Sequence, residues 1–367
     1  MKVPAKGVAE AATATPEPAE LPVAQAAART PAPSALQIAL NEVRRQLAAW
    51  MRYEPGARLG EDAEQLHQLR VAVRRIEATL GLFRHQVSPR LLHQRKGAKS
   101  VLRILGAARD FDVQLAELDR YCDDLPQPER AASAALRARL EFERSRARSR
   151  MIRALDTEAT RHWLETLSLA SADFSAAAEP GAVPAALVIP ERIGARFRKL
   201  RKRVRRLGPG STMEEFHAVR RRAKQLRYAL ECSAGLLGKP ADEVLKSLRR
   251  LQDRLGAKQD AYMAKLRLMA IVADPATRLP ADTLFFMGRF AEHQVLATAQ
   301  ARKTLRRSWR KVAGKRWNAL RAKMEELRAS APLSAAVTLQ ETVQASASAP
   351  VAGPEFAAAT DSRPLKH

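Results

Sequence analysis

The feature that most constrains the fold is an internal repeat, in which residues 150 positions apart match without a gap. The segment EQLHQLR at 64–70 aligns with EEFHAVR at 214–220, and the alignment continues downstream as far as Asp110 and Asp260. Composition bias alone does not preserve a register over such a distance. The sequence therefore indicates that one structural unit has been duplicated.

The repeated unit has the pattern of helices. Between residues 34 and 330 the apolar residues recur at helical spacing, and almost no stretch alternates with the period of two that a half-buried strand requires. Ala, Leu, Arg, Glu and Gln, which favour helices, dominate this region. The sequence predicts an all-α fold.

Proline, glycine and small polar residues suggest where the chain divides. Pro180, Gly181, Pro184 and Pro190 interrupt the helical pattern between the two repeats. Both ends of the chain are rich in Ala, Pro, Ser and Thr and poor in large apolar residues, which is typical of disordered segments. We predict a disordered tail, a first helical bundle, a linker, a second bundle and a second disordered tail at 1–33, 34–178, 179–190, 191–330 and 331–367.

One helix in each half combines an apolar stripe with a row of basic residues on its flank. At 100° per residue, the apolar residues share one face, which we predict to be core: Leu66, Leu69, Val73, Ile76, Leu80 and Phe83 in the first half, and Phe216, Val219, Ala223, Leu226 and Leu230 in the second. The basic rows beside these stripes are His67, Arg70 and Arg74, and His217, Arg220 and Lys224, the latter extended by Arg221, Arg227 and Tyr228.

Further basic rows follow the same helical spacing. They comprise Lys96, Lys99 and Arg103, their counterparts Lys246 and Arg249, and the row Arg192, Arg196, Lys199 and Arg203. Like charges at these spacings destabilise an isolated helix, and a bound anion would offset that cost. A single basic row is usually a solvated face, but matched rows in both halves favour anion binding. Gly106 and Gly256 are interpreted as helix ends, each with an aspartate to begin the next helix.

Charge narrows the class of ligand. The chain has 64 Lys and Arg against 39 Asp and Glu, a net charge of +25, and residues 34–330 carry all of the excess. Such a field favours polyanions. The two cysteines lack the number and spacing of a disulfide framework or a zinc site, which favours a reducing cytosol. We expect neither a signal peptide nor a membrane span.

Four segments resemble the CHAD family, the conserved histidine α-helical domain: HQLRVAVRR at 67–75, LGAARDFDV at 105–113, FHAVRRRAKQLRYALE at 216–231 and LQDRLGAKQD at 251–260. The resemblance covers residues 36–325. It implies two pseudo-symmetric four-helix bundles packed around a basic central groove, with polyphosphate as the ligand. The residues at the family's basic positions are His67, Arg70, Arg74, Arg75, His217, Arg220, Lys224 and Arg227. One departure is Gln225, which stands at the counterpart of Arg75.

The sequence thus predicts a non-enzymatic cytoplasmic protein that binds inorganic polyphosphate, without a cofactor, and localises to polyphosphate granules. Protonation of His67 and His217 would strengthen binding as the pH falls towards 6. Nucleic-acid binding is the main alternative, although aromatic residues are only 5% of the chain and do not alternate with the basic rows. A metal-dependent polyphosphate or triphosphate hydrolase, with Glu64 and Glu214 as candidates, and a scaffold that recruits proteins through its tails are further alternatives.

Overall fold

The computed structural model describes residues 33–172, 182–208, 210–274 and 277–331. The predicted tails lie outside these residues, apart from Pro33 and Ala331, as do residues 179–181 of the predicted linker. The described part contains twelve helices and no strand, only an isolated bridge, which confirms the all-α prediction. The helices are Ala35–Leu59 (α1), Ala63–Leu82 (α2), Pro89–Asp123 (α3), Gln127–Ala131 (α4), Ala134–Leu155 (α5), Glu158–Ala172 (α6), Ala185–Arg206 (α7), Met213–Cys232 (α8), Ala234–Leu237 (α9), Lys239–Ala273 (α10), Ala281–Ala313 (α11) and Lys315–Ala329 (α12).

Helix boundaries repeat with the same offset as the sequence. Helices α2 and α8 begin and end 150 residues apart, and so do α3 and α10. The first residues of α1 and α7, Ala35 and Ala185, share this offset and are joined reciprocally. The Ala35 N–H donates to the Val183 carbonyl at 2.9 Å, and the Ala185 N–H donates to the Pro33 carbonyl at 3.1 Å. The structural repeat therefore begins about 30 residues before the matched sequence.

Local signals fix several helix starts. Ser34 and Thr212 each form a capping box, in which Gln37 and Glu215 return a side-chain hydrogen bond to the backbone of the cap residue. Ser88 caps α3, whose first residue is a proline that needs no hydrogen-bond partner for its nitrogen. The caps at Ser88 and Thr212 begin two of the helices that carry basic rows, α3 and α8.

Each half contains a ring of four neighbouring helices. In the first half α1, α2, α3 and α6 pack in sequence around the ring, and in the second half α7, α8, α10 and α12 do the same. The two predicted apolar stripes are confirmed, because every residue in them is at most 4% exposed. One cluster of buried apolar side chains extends through both rings, and α2 contacts α8 directly. The basic rows of the two halves are therefore carried by adjacent helices.

Two boundary predictions were wrong. Gly106 and Gly256 lie inside the 35-residue helices α3 and α10 and do not end them, because buried neighbours such as Leu105 and Leu255 hold the helices in tertiary packing. Such packing outweighs the ~0.5–1 kcal/mol that an interior glycine costs relative to alanine. The predicted linker overlaps the start of α7, where Pro190 is tolerated inside the helix.

Candidate anion-binding site

The packing of α2 against α8 brings basic side chains from both halves into one group. The charges that act on Lys224 of α8 are those of Arg220, Arg74, Arg70 and Arg227, two from each half. The charges of Arg70 and Lys224 act on His67, and Tyr228 lies close enough to Arg70 to act on its guanidinium. We call this group the central cluster: His67, Arg70, Arg74, Arg220, Lys224, Arg227 and Tyr228.

Matched carboxylates position the two arginines that the repeat equates. Arg70 lies 3.6 Å from Asp110 of α3, and Arg220 lies 3.6 Å from Asp260 of α10. Both distances are longer than a normal hydrogen bond, so the carboxylates orient the guanidinium groups without fully occupying their donors. The Nε–H of Arg220 is buried without a hydrogen-bond partner among the described residues. The pairs leave donors for a ligand.

Gly106 and Gly256 lie beneath the same two arginines, Gly106 under the guanidinium of Arg70 and Gly256 under that of Arg220. In each case a side-chain methyl would stand 3.6 Å from a guanidinium nitrogen, which is ordinary van der Waals contact. Alanine would therefore fit at both positions without moving the arginine.

The cluster is electrostatically unfavourable in the absence of an anion. Burial, followed by repulsion from Arg220, Arg74, Arg70 and Arg227, lowers the pKa of Lys224 to about 6. The side chain of Lys224 is thus mostly the neutral amine at pH 7. A multivalent anion at this position would reverse the effect, because an opposite charge favours the protonated amine.

Burial also lowers the pKa of two neighbours of Lys224. The pKa of Arg70 falls through burial and repulsion from Arg74, and the pKa of His67 falls through burial and repulsion from Arg109, Arg70 and Lys224. His67 is therefore mostly neutral at pH 7, when one ring nitrogen can still donate a hydrogen bond. His217 is half-buried at the matching position of α8.

Several predicted site residues lie outside the central cluster. Arg75 and Arg249 reach Glu231 at 3.3 and 3.4 Å, a carboxylate that also lies 3.5 Å from Arg227 of the cluster. Lys246 pairs with Glu243 at 2.8 Å, which leaves it less available than predicted. Three of the predicted residues are exposed on one face of α3, the face that carries Gly106, and extend the basic surface away from the cluster: Lys96, Lys99 and Arg103. Arg203 and Arg221 are also exposed.

Arg196 and Lys199 belong to a separate cavity of about 210 Å³. It lies between α2, α3, α7 and α8, and Gln225 also lines it. The two halves therefore differ in structure where the sequence departs from the repeat. Arg75 pairs with Glu231, whereas its counterpart Gln225 accepts a hydrogen bond from Arg222.

Sequence reasoning missed two arginines beside the cluster. Arg109 acts on both His67 and Arg70, and Arg267 lies 3.8 Å from Asp110 and over the ring of Phe111. The counterpart of Arg109 is Gln259 and that of Arg267 is Glu117, so the repeat gave no signal for either. For Arg109 the one signal in the sequence was its place in the LGAARD segment, which belongs to the family resemblance.

We expect Lys224→Met to stabilise the unliganded protein. The pKa of Lys224 is about 6 when folded against an ordinary value of 10.5, so the unfolded chain binds more protons between these pH values. Stability is consequently lost as the pH falls from 10.5 towards 6, and at pH 7 methionine removes that cost. The midpoint of thermal unfolding should rise by a few degrees. Lys246→Met, at an exposed position, is the control and should change little; an unchanged or lower midpoint for Lys224→Met would contradict the electrostatic account.

No described helix combines the length and the apolar character that crossing a bilayer requires. Among the described residues, no three or more His, Cys, Asp or Glu side chains are grouped closely enough to hold a metal ion.

Comparisons with known proteins identify the fold and the family. A family profile described as CHAD domain matches residues 41–269. The uncharacterized proteins MT2285 and Rv2226, from the CDC 1551 and H37Rv strains of Mycobacterium tuberculosis, are each 25% identical over 287 residues, covering 75% of this chain and 52% of the relative. The chain thus spans about half the length of these curated relatives.

Two solved structures have a similar fold. PptA from Streptomyces chartreusis superimposes with a TM-score of 0.58 at 20% identity, covering 76% of this chain and 99% of that one. The CHAD domain from the plant Ricinus communis gives a TM-score of 0.56 at 23% identity, covering 82% and 95%. At these identities the similarity establishes the fold alone.

Proposed function

The chain belongs to the CHAD domain family, whose known property is polyphosphate binding, and from this premise we propose that its central cluster binds inorganic polyphosphate. The observation that carries the proposal is the meeting of both basic rows on α2 and α8, with Lys224 among four arginines. Its ammonium group is disfavoured there unless an anion is bound. A long polyanion can contact both halves at once.

Recognition would rely on charge-assisted hydrogen bonds. Each guanidinium offers a planar fork to two phosphate oxygens, and Lys224 offers a mobile point charge. Donors repeated along rigid helices suit a ligand made of repeating phosphates. Because Asp110 and Asp260 hold Arg70 and Arg220 in place, little side-chain order would have to be gained on binding.

The cluster favours polyphosphate over nucleic acid. Its one Phe, Tyr or Trp side chain, Tyr228, is 7% exposed and is covered by the guanidinium of Arg227 at 4.8 Å. Its ring is therefore unavailable to stack on bases, as single-strand binding sites usually require. We also propose binding without catalysis, since the carboxylates that lie beside the cluster, Asp110, Asp260 and Glu231, are each engaged with an arginine.

A competition experiment tests this function. At one fixed salt concentration, labelled long-chain polyphosphate bound to the protein should be displaced by unlabelled polyphosphate at far lower concentration than by single- or double-stranded nucleic acid of equal charge. Free phosphate, measured in the same mixtures with Mg²⁺ or Mn²⁺, should not increase. The affinity should fall steeply with added salt as counterions are released.

The trimmed chain 34–330 should compete in the same way, because the central cluster lies within it. Stronger displacement by nucleic acid, or release of phosphate that Glu64→Gln or Glu214→Gln abolishes, would argue against the proposed function. As part of the same proposal we place the protein in the cytoplasm on polyphosphate granules, with the tails recruiting other proteins. A fluorescent fusion that stays diffuse in granule-containing cells would contradict that placement.

A further inference from the structure

A cationic cavity lies apart from the central cluster. It is enclosed by the C-terminal half of α2, the N-terminal half of α3, and helices α7 and α8, with a volume of about 210 Å³. Six basic side chains line it: Arg84, Arg95, Arg192, Arg196, Lys199 and Arg222. Glu77 is the one carboxylate among the described lining residues, and it already accepts a hydrogen bond from Arg95. The cavity therefore has a large excess of positive charge.

The repeat supplies an internal comparison. A cavity of about 420 Å³ lies at positions offset by 150, between α1, α2, α8 and α10. There Gln46, Ala49 and Ala72 stand in place of Arg196, Lys199 and Arg222. Three basic residues face two carboxylates, Glu231 and Asp242, in that cavity. The excess positive charge is thus confined to one cavity of the pair.

The largest difference between the two cavities is at one pair of equivalent positions, where Gly81 lines the cationic cavity and Glu231 lines the other. A side-chain methyl at Gly81 would stand 2.9 Å from a guanidinium nitrogen of Arg95, so the glycine leaves room for that group. At the equivalent position Glu231 pairs with Arg75, Arg227 and Arg249. The 420 Å³ cavity thus holds a carboxylate that neutralises its arginines, whereas the 210 Å³ cavity has a glycine at that position and uses the space for an arginine.

We propose that this cationic cavity is a second anion site, which binds a compact phosphate group such as pyrophosphate, tripolyphosphate or the end of a polyphosphate chain. The inference goes beyond the proposed function, because it rests on a different set of side chains. Cavities for drug-sized ligands measure about 300–1,000 Å³, so about 210 Å³ suits a smaller ligand of this kind.

Unsatisfied groups in the cavity support an anionic occupant. The Nε–H groups of Arg95 and Arg192 are buried and have no hydrogen-bond partner among the described residues. Burial, then repulsion from Arg192, Arg84 and Arg95, lowers the pKa of Arg196 to about 10. Buried donors and desolvated like charges are both stabilised by phosphate oxygens.

The test exchanges residues between the two cavities. Arg196→Gln with Lys199→Ala introduces the side chains that stand at positions 46 and 49, and Gly81→Glu introduces the carboxylate that stands at 231. Calorimetric titration of the full chain with pyrophosphate and with tripolyphosphate should show at least about a tenfold loss of affinity in either variant. Long-chain polyphosphate should bind within about threefold of the unsubstituted protein.

The reciprocal variant separates this inference from the proposed function. Arg70→Ala with Arg220→Ala should lose long-chain binding and retain pyrophosphate binding. If pyrophosphate still binds after the protein has been saturated with long-chain polyphosphate, the natural occupant of the cavity is a small free phosphate compound. If it no longer binds, the end of the polyphosphate chain occupies the cavity. Either result supports the site. The proposal is overturned if pyrophosphate binds the cavity variants as tightly as the unsubstituted protein, if it does not bind the unsubstituted protein, or if both kinds of variant lose both ligands equally. Far-ultraviolet circular dichroism confirms that each variant is folded.

Discussion

Replacing both Arg70 and Arg220 with alanine should lower the affinity for long-chain polyphosphate by at least about 100-fold. A hydrogen bond to a charged group contributes about 1.5–3 kcal/mol, so two lost contacts amount to about 3 kcal/mol or more. Each 1.4 kcal/mol is a factor of ten in affinity. Titration calorimetry at a fixed, moderate salt concentration measures the change directly.

The double variant should remain folded. Neither arginine lies on the apolar stripe, and the carboxylates that they leave, Asp110 and Asp260, have side chains that are 53% and 40% exposed. Burial raises the pKa of the Asp260 carboxyl, so that group can take up a proton when Arg220 is removed. Arg150→Ala with Arg153→Ala removes the same charge from exposed positions of α5 and is the matched control. Equal losses in both double variants would mean that total charge, and not the central cluster, determines binding.

Much of the fold was predictable because it follows from local sequence. Helical periodicity placed Leu69 and Val219 in the core, and the repeat equated the helices that carry them. The misreading of Gly106 shows the limit of local signals. A glycine followed by an aspartate is typical of a helix boundary, but the packing of buried neighbours carries the helix through it. The sequence did not indicate that α1 and α7 begin at equivalent residues, Ala35 and Ala185, since the reciprocal hydrogen bonds between these helix starts involve backbone atoms alone.

The site was predictable only as far as the repeat extends. His67, Arg70 and Arg74 could be paired with residues of the second half by their offset, and the structure brings both rows together. The distribution of carboxylates could not be foreseen, because it depends on which helices pack against one another. Arg75 thus pairs with Glu231 and lies outside the central cluster. Arg84 and Arg95, whose counterparts in the second half are not basic, line the cationic cavity together with residues of α7.

Binding of polyphosphate should take up close to one proton per protein near pH 7.5. The pKa of Lys224 is about 6 without ligand, so the amine enters the complex mostly neutral, and the bound anion raises its pKa. By linkage, affinity should rise as the pH falls from 8 to 6, by up to about tenfold per pH unit, and should level off below 6. The proton uptake is measured by calorimetry in buffers of different ionisation enthalpy.

The position of this pH window distinguishes Lys224 from the histidines that the sequence suggested. Burial and nearby cations lower the pKa of His67 from its ordinary 6.5, so protonation of that ring contributes only at the acidic end of the range. An increase in affinity between pH 8 and 7 therefore reports on the lysine. Titration of the chain ends of polyphosphate is the same for every variant and cancels in the comparison.

Lys224→Arg is the decisive variant, because a guanidinium stays protonated throughout this range. It should retain tight binding at pH 7.5 while losing both the proton uptake and most of the pH dependence above pH 7. Lys224→Met should instead lose affinity at every pH. Proton uptake that persists in Lys224→Arg would assign the titration to another group, and the lysine would then have no part in coupling binding to pH.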